Sequence, residues 1–354
     1  MVAALTIAAF VLGIPVFFDV GFIILAPIVF GFAHVAKLNP LKVALPVGVV
    51  LLTVHVTLPP HPGPVAAAAT IGADVGLVTL LGLVIAGLVS IVGFFVAKLF
   101  RVDSIKLGPS PASEAMVIPD SDIDAVEKNK TVPSAGTVVG LIVLPIALIM
   151  VGSVLLTVIG LEDPLRPIAS FIGAPTTALL IGLLVAYLVV GNKAKWGKGQ
   201  RSSIADSALP IVAIIIFVTG AGGVFGNVLV ESGIGDALSQ SLTAMGMPLI
   251  VAAFVISLAL RAAQGSATVA ILTTAGLLSQ AIASGGYSPV EIALVTPAIG
   301  FGGLGLSHIN DSGFWIVTKY LGLSVADGLK TWTVLTTLCG VAGFLVTWGV
   351  WALV

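Results

Sequence analysis

Ionisable side chains occur inside long apolar stretches of this chain, which is where they could do chemistry. They are Asp19, His61, Arg261, His308 and Asp311. A charged or titratable group is costly inside a bilayer, so such residues mark pathways for a substrate, an ion or a proton. Each of them lies in or beside a segment that contains Gly or Pro, residues that interrupt helices. We therefore expect these side chains to surround one binding site.

Several of these residues also have a structural alternative. Asp19 would either act on the substrate or proton, or cap the helix that follows it. Arg261 would either bind a substrate carboxylate, or pair with Asp311 or Glu231. His308 and Asp311, three residues apart, would form either a proton relay or a local hydrogen-bonded pair. The sequence leaves these alternatives open.

The segment that contains Gly265 has the features of a helix start. Ser266 and Thr268 follow this glycine, and their hydroxyls are natural N-caps as well as candidate ligands. A helix N-terminus presents free N–H groups and a partial positive charge, which suits an anion. We therefore expect a substrate carboxylate to bind at this helix start.

The histidines of the first apolar break differ in what the sequence predicts for them. His61 lies between prolines, so it must find a partner outside a helix, and we predict that it contacts the substrate. His55, on the preceding helical arm, is expected to be a packing residue.

The composition restricts the class of protein. Hydrophobic residues make up 58% of the 354 residues and charged residues 9%, against about 25% charged in an ordinary soluble domain. An integral membrane protein is therefore predicted, and the net charge of −1 argues against nucleic acid as a partner. The single cysteine, Cys339, excludes an internal disulfide and a cysteine metal cluster. The sequence contains neither HExxH nor GxSxG, so we predict no enzyme, no metal and no cofactor.

The hydropathy pattern predicts an all-α polytopic membrane protein with two repeats. The first, residues 1–99, would be partial, and a cytoplasmic linker, 100–133, would join it to the second, 134–354. The first repeat would contain a hairpin at 2–36, a broken helix at 41–73 and a helix at 75–99. The second would contain helices at 135–160, 168–191 and 207–232, a hairpin at 247–284, a broken helix at 289–322 and a helix at 331–353.

The loop charges predict how these segments cross the membrane. The basic loop 192–204 should be cytoplasmic by the positive-inside rule. Counting outward from it places the linker on the same side, provided that 2–36 and 247–284 are re-entrant hairpins. Each hairpin arm is about 12 residues, or about 18 Å of helix, which reaches only the middle of the bilayer. The alternative is that each run is one long kinked helix.

The two halves of the chain repeat the same order of elements. IAAFVLG (7–13) resembles VAAFVIS (251–257), and the same offset places Gly21 on Gly265. Each half has a broken run, a broken helix and a clean span, but the two would start on opposite sides of the membrane. This is the pattern of an inverted-topology repeat with unwound helices, which is frequent in secondary transporters. By this symmetry the first repeat is expected to lack its N-terminal helices.

The segments around these residues resemble those of the gluconate permease family, proton symporters of the ion-transporter superfamily. The similarity extends over essentially the whole chain. The residues that carry it are GIPVFFDVGF (13–22), LPPHPGP (58–64), GAGGVFGNVLVESG (220–233), RAAQGSATVAILTTAG (261–276) and SHINDSGFW (307–315). The resemblance implies that the substrate site contains Asp19, His61, Gly265, Ser266, Thr268, His308, Asn310 and Asp311. The family usually has glutamate at the position of Asp19, and its members have a longer N-terminal region.

The resulting prediction is a carrier in the bacterial inner membrane that imports gluconate or a related sugar acid with a proton. Arg261 would assist at the substrate carboxylate, and Asp19, Asp311 or His308 would carry the proton. Besides the substrate and the proton, the expected partners are membrane lipid and further copies of the chain in a homo-oligomer. Sodium coupling, or another small carboxylate such as D-serine, is an alternative. A channel or a membrane-embedded enzyme is a different class, which the duplicated re-entrant pattern disfavours.

Overall fold

A computed structural model describes residues 2–114, 134–158, 163–204 and 246–354, with isolated positions between 204 and 246. Within these residues every regular element is a helix. Six helices in this part of the chain are long and apolar enough to cross a membrane. The predicted all-α, polytopic membrane class is thereby confirmed.

Short breaks separate the helices of the N-terminal segment. Their bounds are α1 (Val2–Gly13), α2 (Phe18–Val35), α3 (Leu41–Thr57), α4 (Pro62–Ile71) and α5 (Val75–Ala97). The break after α1 contains Pro15, and α3 ends before Pro59 and Pro60. Proline causes such ends because it lacks an N–H donor and disfavours helical geometry in the residue before it. The α5 helix begins after Asp74, whose carboxylate accepts a hydrogen bond from the Leu77 N–H at 2.7 Å.

A short helix, α6 (Pro111–Glu114), lies in the segment predicted to be the cytoplasmic linker. Its neighbour Ser110 and its own Ser113 exchange hydrogen bonds at the helix start. The rest of the predicted linker, 115–133, lies outside the described residues.

The described residues from 134 to 204 belong to a compact unit of their own, with α7 (Ala135–Val158), α8 (Arg166–Gly173) and α9 (Pro175–Lys193). The uninterrupted helix predicted over 168–191 is wrong. The chain leaves helical geometry at Ala174, and Pro175 restarts the helix at its first position, where a missing N–H costs nothing. Within this unit Gly152 packs against Gly173, where the lack of side chains lets two backbones approach closely. The helix predicted at 207–232, including Glu231, lies outside the described residues apart from isolated positions.

The C-terminal segment repeats the pattern of helices and breaks. Its helices are α10 (Leu249–Gln264), α11 (Ala267–Ser284), α12 (Pro289–Leu304), α13 (Ser312–Leu321), α14 (Val325–Gly328) and α15 (Val334–Trp351). A π-helical turn, Leu329–Thr333, joins α14 to α15. The last span therefore begins at Val325 and not at residue 331 as predicted, because Ser324 caps the first turn through the Asp327 N–H.

Two helices, α3 and α12, form the centre of the unit that contains both segments. α3 packs against α1, α2 and α5, α12 packs against α10, α11 and α15, and the two also contact each other. Almost every side chain of α3 is buried, as are those of α12 from Ala293 to Leu304. A helix that is apolar on all sides needs such surroundings.

The shorter helices after the breaks pack across the two segments. α4 lies on α11, and α13 lies on α2. The second half of each broken helix, α4 or α13, therefore contacts a helix of the other segment. That helix is the one after the first break of its segment, α11 or α2.

The helix starts show how the two segments correspond. Val2, Phe18, Leu41, Pro62 and Val75 have counterparts roughly 250 residues later along the chain, at Leu249, Ala267, Pro289, Ser312 and Val325. In this register Gly265, at the end of α10, does not correspond to Gly21, which lies inside α2. The alignment of IAAFVLG (7–13) with VAAFVIS (251–257) was wrong, because helices rich in Ala and Val match one another in several registers.

Candidate substrate and proton site

The break between α12 and α13 is held by side chains of the π-helical turn and of α15. The Thr333 hydroxyl donates to the Ser307 carbonyl at 2.6 Å, and the Leu306 N–H donates to the Thr337 Oγ1 at 3.1 Å. Irregular backbone inside a membrane protein is stable only where such partners satisfy its polar groups. The break is therefore a fixed part of the fold.

A buried ion pair connects this break to the end of α10. The Arg261 guanidinium donates through both η nitrogens to the Asp311 carboxylate, at 3.0 and 2.5 Å. Arg261 is 1% exposed and Asp311 3%. The same guanidinium also donates to the Gly265 carbonyl at 2.7 Å, so it fixes the end of its own helix.

The Asp311 carboxylate accepts further hydrogen bonds. It is the N-cap of α13, where Oδ1 accepts a hydrogen bond from the Gly313 N–H at 3.1 Å. The Ser307 hydroxyl donates to Oδ2. A carboxylate that only accepts hydrogen bonds, from Arg261 and from these groups, has the bonding pattern of the ionised form.

The junction between α10 and α11 faces the same break. Gly265 has a φ of +77°, and a Cβ at this position would overlap the Asn310 carbonyl. Only glycine allows both the left-handed geometry and this close approach. Ser266 then caps α11, because its hydroxyl accepts a hydrogen bond from the Val269 N–H at 3.3 Å.

Polar side chains of the break return to the last turn of α10. The His308 Nε2 lies 3.0 Å from the Ala262 carbonyl, and the Asn310 amide donates to the same oxygen at 2.8 Å. His308 is half-buried and Asn310 is exposed. Of the C-terminal residues predicted for the site, Arg261, Gly265 and Asp311 thus share one set of hydrogen bonds, and His308 and Asn310 share the Ala262 carbonyl.

His61 occupies the N-cap position of α4 at the other break. Its Nε2 lies 2.7 Å from the Gly13 carbonyl, and its Nδ1 lies 3.1 Å from the Nδ1 of His55. The Phe17 ring lies 5.8 Å from each imidazole, measured between ring centroids. His55 therefore has a specific polar partner, beyond the packing role that was expected for it.

The half-helices start close to one another in pairs. A methyl group built on Gly63, in the first turn of α4, would lie 3.8 Å from the Thr268 Cα in the first turn of α11. One built on Gly313, in α13, would lie 3.2 Å from the Phe18 ring in α2. Thr268 itself is half-buried. Glycine at both positions lets each pair of helix starts pack closely.

Asp19 lies in the first turn of α2 and is half-buried. Its carboxylate makes no hydrogen bond or ion pair with another residue in the described part of the chain, although the charges of Asp311 and Arg261 act on it. A negative side chain in the first turn of a helix is favoured by the helix dipole. Asp19 is therefore the carboxylate of this region that is not held by hydrogen bonds.

The structure decides between some of the alternatives left open by the sequence. Asp19 as a helix cap is wrong, since the N-cap of α2 is Phe17 and no side chain caps it. His308 and Asp311 form a local hydrogen-bonded pair through the backbone, since the Asp311 N–H donates to the His308 carbonyl at 2.8 Å, while the His308 imidazole contacts the Ala262 carbonyl. Arg261 pairs with Asp311, which was one of its two expected carboxylate partners.

Sequence reasoning missed two residues of this group, Ser307 and Trp332. The Trp332 indole N–H donates to the Ser307 hydroxyl at 2.8 Å, and its ring stacks on Phe18 at 5.7 Å between centroids. Ser307 lies inside the SHINDSG motif, so the motif was a signal for it. Trp332 lies in an apolar span without a break, where its fully buried position had no signal in the sequence.

Comparison with known proteins places the chain among membrane permeases. The sequence profile of the GntP family permeases matches residues 1–354. The chain is 55% identical over 355 residues to the inner membrane permease YgbN of Escherichia coli K12, which covers 100% of this chain and 78% of that protein. It is 33% identical over 350 residues to the low-affinity gluconate transporter of the same organism, covering 97% of the chain and 75% of that protein. It is 34% identical over 344 residues to the gluconate permease of Bacillus subtilis 168, covering 96% of the chain and 75% of that protein.

Proposed function

Because the chain belongs to the GntP permease family, we propose that it imports gluconate or a related sugar acid together with a proton. The chain is a multi-pass protein of the inner membrane and a permease, not an enzyme. Relatives named as gluconate transporters align with 96–97% of the chain, and this is the observation that carries the substrate class.

The start of α11 is the proposed binding place of the substrate carboxylate. The first N–H groups of a helix have no intrahelical acceptor, so those of Ala267 and Thr268 suit an anion. Gly265 supports this role because its left-handed geometry turns the chain directly into the start of α11. Arg261 would act on the carboxylate mainly through its charge, since both of its η nitrogens already donate to protein oxygens.

The hydroxyl groups of a sugar acid need hydrogen-bonding partners as well. His308 and Asn310 supply them in this proposal, since both are at least partly exposed and lie at the same turn of α10. His61 was predicted to join them, but both of its nitrogens have protein partners. A direct contact of His61 with the substrate would require one of those bonds to open.

Coupling to a proton follows from repulsion between like charges. A substrate carboxylate near Asp19 would be repelled by the ionised side chain, and protonation of Asp19 would remove that repulsion. Binding of the proton and of the anion would then favour each other, which is the thermodynamic requirement for symport. Asp311 and His308 are the other proposed carriers, although Asp311 would first have to release the Arg261 guanidinium.

We infer an inverted-topology repeat from the packing of the two segments. The reciprocal contacts of α4 with α11 and of α13 with α2 support it, as does the correspondence of helix starts. The re-entrant hairpins would then be α1 with α2 and α10 with α11. The predicted arm length of about 12 residues is wrong for α2 and α11, which have 18 residues each and are long enough to cross a membrane. In such transporters one repeat rocks against the other around a fixed site.

The function is tested by reconstituting the purified chain into proteoliposomes. Labelled gluconate should accumulate when a pH gradient is imposed in the absence of sodium, and unlabelled gluconate trapped inside should accelerate its entry. The second result distinguishes a carrier from a channel. Uptake that needs sodium and ignores the pH gradient would contradict proton coupling, and competition by D-serine but not by sugar acids would contradict the substrate class.

A matched pair of variants tests the proposed carboxylate site. Thr268→Val keeps the shape of the side chain but removes the hydroxyl, so we expect weaker gluconate binding. Thr70→Val makes the same change on the exposed face of α4 and should leave uptake unchanged. Equal uptake by both variants would remove Thr268 from the site.

A further inference from the structure

The His55–His61 pair has no role in the function proposed above. Both histidines lie at the α3–α4 break, with ring centroids 4.5 Å apart, and His61 is 3% exposed while His55 is half-buried. We propose that this pair is a binding site for a single proton. That it holds the transported proton is a further step, which rests on the proposed symport.

The hydrogen bonds of the pair fix which nitrogen carries hydrogen. The Gly13 carbonyl can only accept, so the Nε2 of His61 must carry a hydrogen and donate it. In a neutral His61 the Nδ1 is then an acceptor. The hydrogen between the rings must therefore belong to the Nδ1 of His55, which donates to His61.

This arrangement leaves one nitrogen available for a proton. The Nε2 of His55 has a lone pair and no hydrogen bond to another described residue. A proton that binds there converts His55 to an imidazolium, which still donates through Nδ1 to His61. Charge then appears on the pair without breaking either of its hydrogen bonds.

A second proton is excluded by the geometry. If both rings were doubly protonated, two N–H donors would face each other across 3.1 Å with no acceptor between them. Like charges at this distance also repel strongly in surroundings of low dielectric constant. The pair therefore holds either no added proton or one.

Few charged groups act on the pair. Among the described residues, and apart from the histidines themselves, Arg261 is the charge that acts on His55, and it opposes a proton there. A substrate carboxylate near Arg261 would offset that positive charge. The other ionisable groups on α3, α4 and the helices and turns that pack against them are Asp19, His34, Lys42, Glu291, Lys319, Tyr320, Lys330 and Cys339.

The pair lies between the two parts of the site proposed above. Through Gly13 it is tied to the break that leads to Asp19, and through α4 it adjoins the start of α11, where Gly63 approaches Thr268. A change of charge on His55 can thus be felt at both the carboxylate site and the proton carrier. This position is what connects the one-proton site to coupling.

Imidazole nitrogen NMR of the reconstituted protein tests the proton site directly. The chain contains 4 histidines, so ¹⁵N-histidine labelling with single variants assigns every signal. We expect His61 to be protonated on Nε2 and His55 on Nδ1 at high pH, and one proton to be taken up by the pair as the pH falls. Two independent titrations, or a His61 protonated only on Nδ1, would overturn the proposal.

Transport of gluconate by His55→Gln tests whether this proton is the one that moves. The glutamine amide can still donate to His61 but cannot take up a proton. We expect the variant to lose accumulation driven by a pH gradient and to keep exchange of labelled for unlabelled gluconate. His34→Gln, at the exposed end of α2, is the matched control and should behave as the unaltered protein.

The two experiments separate the possible failures. Accumulation by His55→Gln equal to that of the control would overturn the coupling role of the pair. Absence of any gluconate uptake by the unaltered protein would instead contradict the proposed function. In that case the NMR titration alone would decide whether the proton site exists.

Discussion

In each broken helix, the residue just before the second half-helix contacts the end of another helix, and we call this contact the closure of the break. The two closures lie at corresponding positions but differ in their chemistry. At the α3–α4 break the residue before the second half-helix is His61, which bonds to the last residue of α1. At the α12–α13 break it is Asp311, which receives a guanidinium from the last turn of α10. The first closure is neutral and can change its charge, whereas the second is a pair of opposite charges.

This difference predicts that the two breaks lose different amounts of stability when one partner of the contact is removed. Removing one partner of a buried ion pair leaves an unpaired charge, which costs about 3–5 kcal/mol. Removing a neutral hydrogen-bonding partner leaves a polar atom unsatisfied, at a cost of about 1–3 kcal/mol. We therefore expect the Arg261–Asp311 closure to anchor the fold and the His61 closure to be the adjustable one.

The largest effect is expected for Arg261→Ala, which leaves the Asp311 carboxylate buried without its cation. We expect a loss of about 3–5 kcal/mol in unfolding free energy, measured on the detergent-solubilised protein. The double variant Arg261→Met with Asp311→Leu removes both charges and should recover much of that loss. A stability of R261A close to that of the unaltered protein would show that the pair does not anchor the break.

Next in size is Gly265→Ala, which tests the junction that the ion pair fixes. The left-handed backbone costs a non-glycine residue about 1–2 kcal/mol, and the overlap with the Asn310 backbone adds about 1–3 kcal/mol. Gly72→Ala is the matched control, since φ is +71° there and no atom lies within 4 Å of the added methyl. Equal melting temperatures for the two variants would mean that Asn310 moves aside freely.

A smaller loss is expected for His61→Ala at the adjustable closure. Both the Gly13 carbonyl and the Nδ1–H of His55 would lose their partner, but only the carbonyl belongs to a buried residue. The unfolding free energy should therefore fall by about 1–3 kcal/mol. His34→Ala, at an exposed position, should change it by less than about 0.5 kcal/mol. If H61A were as destabilised as R261A, the contrast between the two breaks would fail.

The smallest effect is expected at an ion pair outside both breaks. Lys42 and Asp103 lie 2.8 Å apart, with side chains 42% and 71% exposed. Lys42→Ala should cost at most about 1 kcal/mol, and the difference should disappear at high salt. This variant calibrates R261A, because both remove a cation from an ion pair. A Lys42→Ala loss that persists in high salt would contradict the assignment of its effect to surface charge.

The sequence was informative where backbone chemistry is local. Proline in LPPHPGP marks where α3 ends and Gly305 marks where α12 ends, because the effect of these residues on φ and on hydrogen bonding does not depend on distant contacts. The capping role of Ser266 followed from its position after Gly265 for the same reason. Composition was sufficient for the membrane class.

The sequence was less informative where residues far apart in the chain meet. The pairing of Arg261 with Asp311 spans 50 residues, and that of His61 with Gly13 spans 48. Neither partner could be selected from spacing, since a carbonyl has no sequence signal and several carboxylates were available. The helix end before Pro175 was missed although GAPTT (173–177) carries the same local glycine and proline signal.

Trp332 gives the molecule an optical probe of its own. It is one of 5 tryptophans, and it is fully buried, whereas Trp315 and Trp348 are 37% and 42% exposed. An indole shielded from water emits at shorter wavelength, and its emission depends on the groups that touch it. Because Trp332 contacts Phe18 from one broken run and Ser307 from the other break, its fluorescence should change whenever those two parts of the protein move apart.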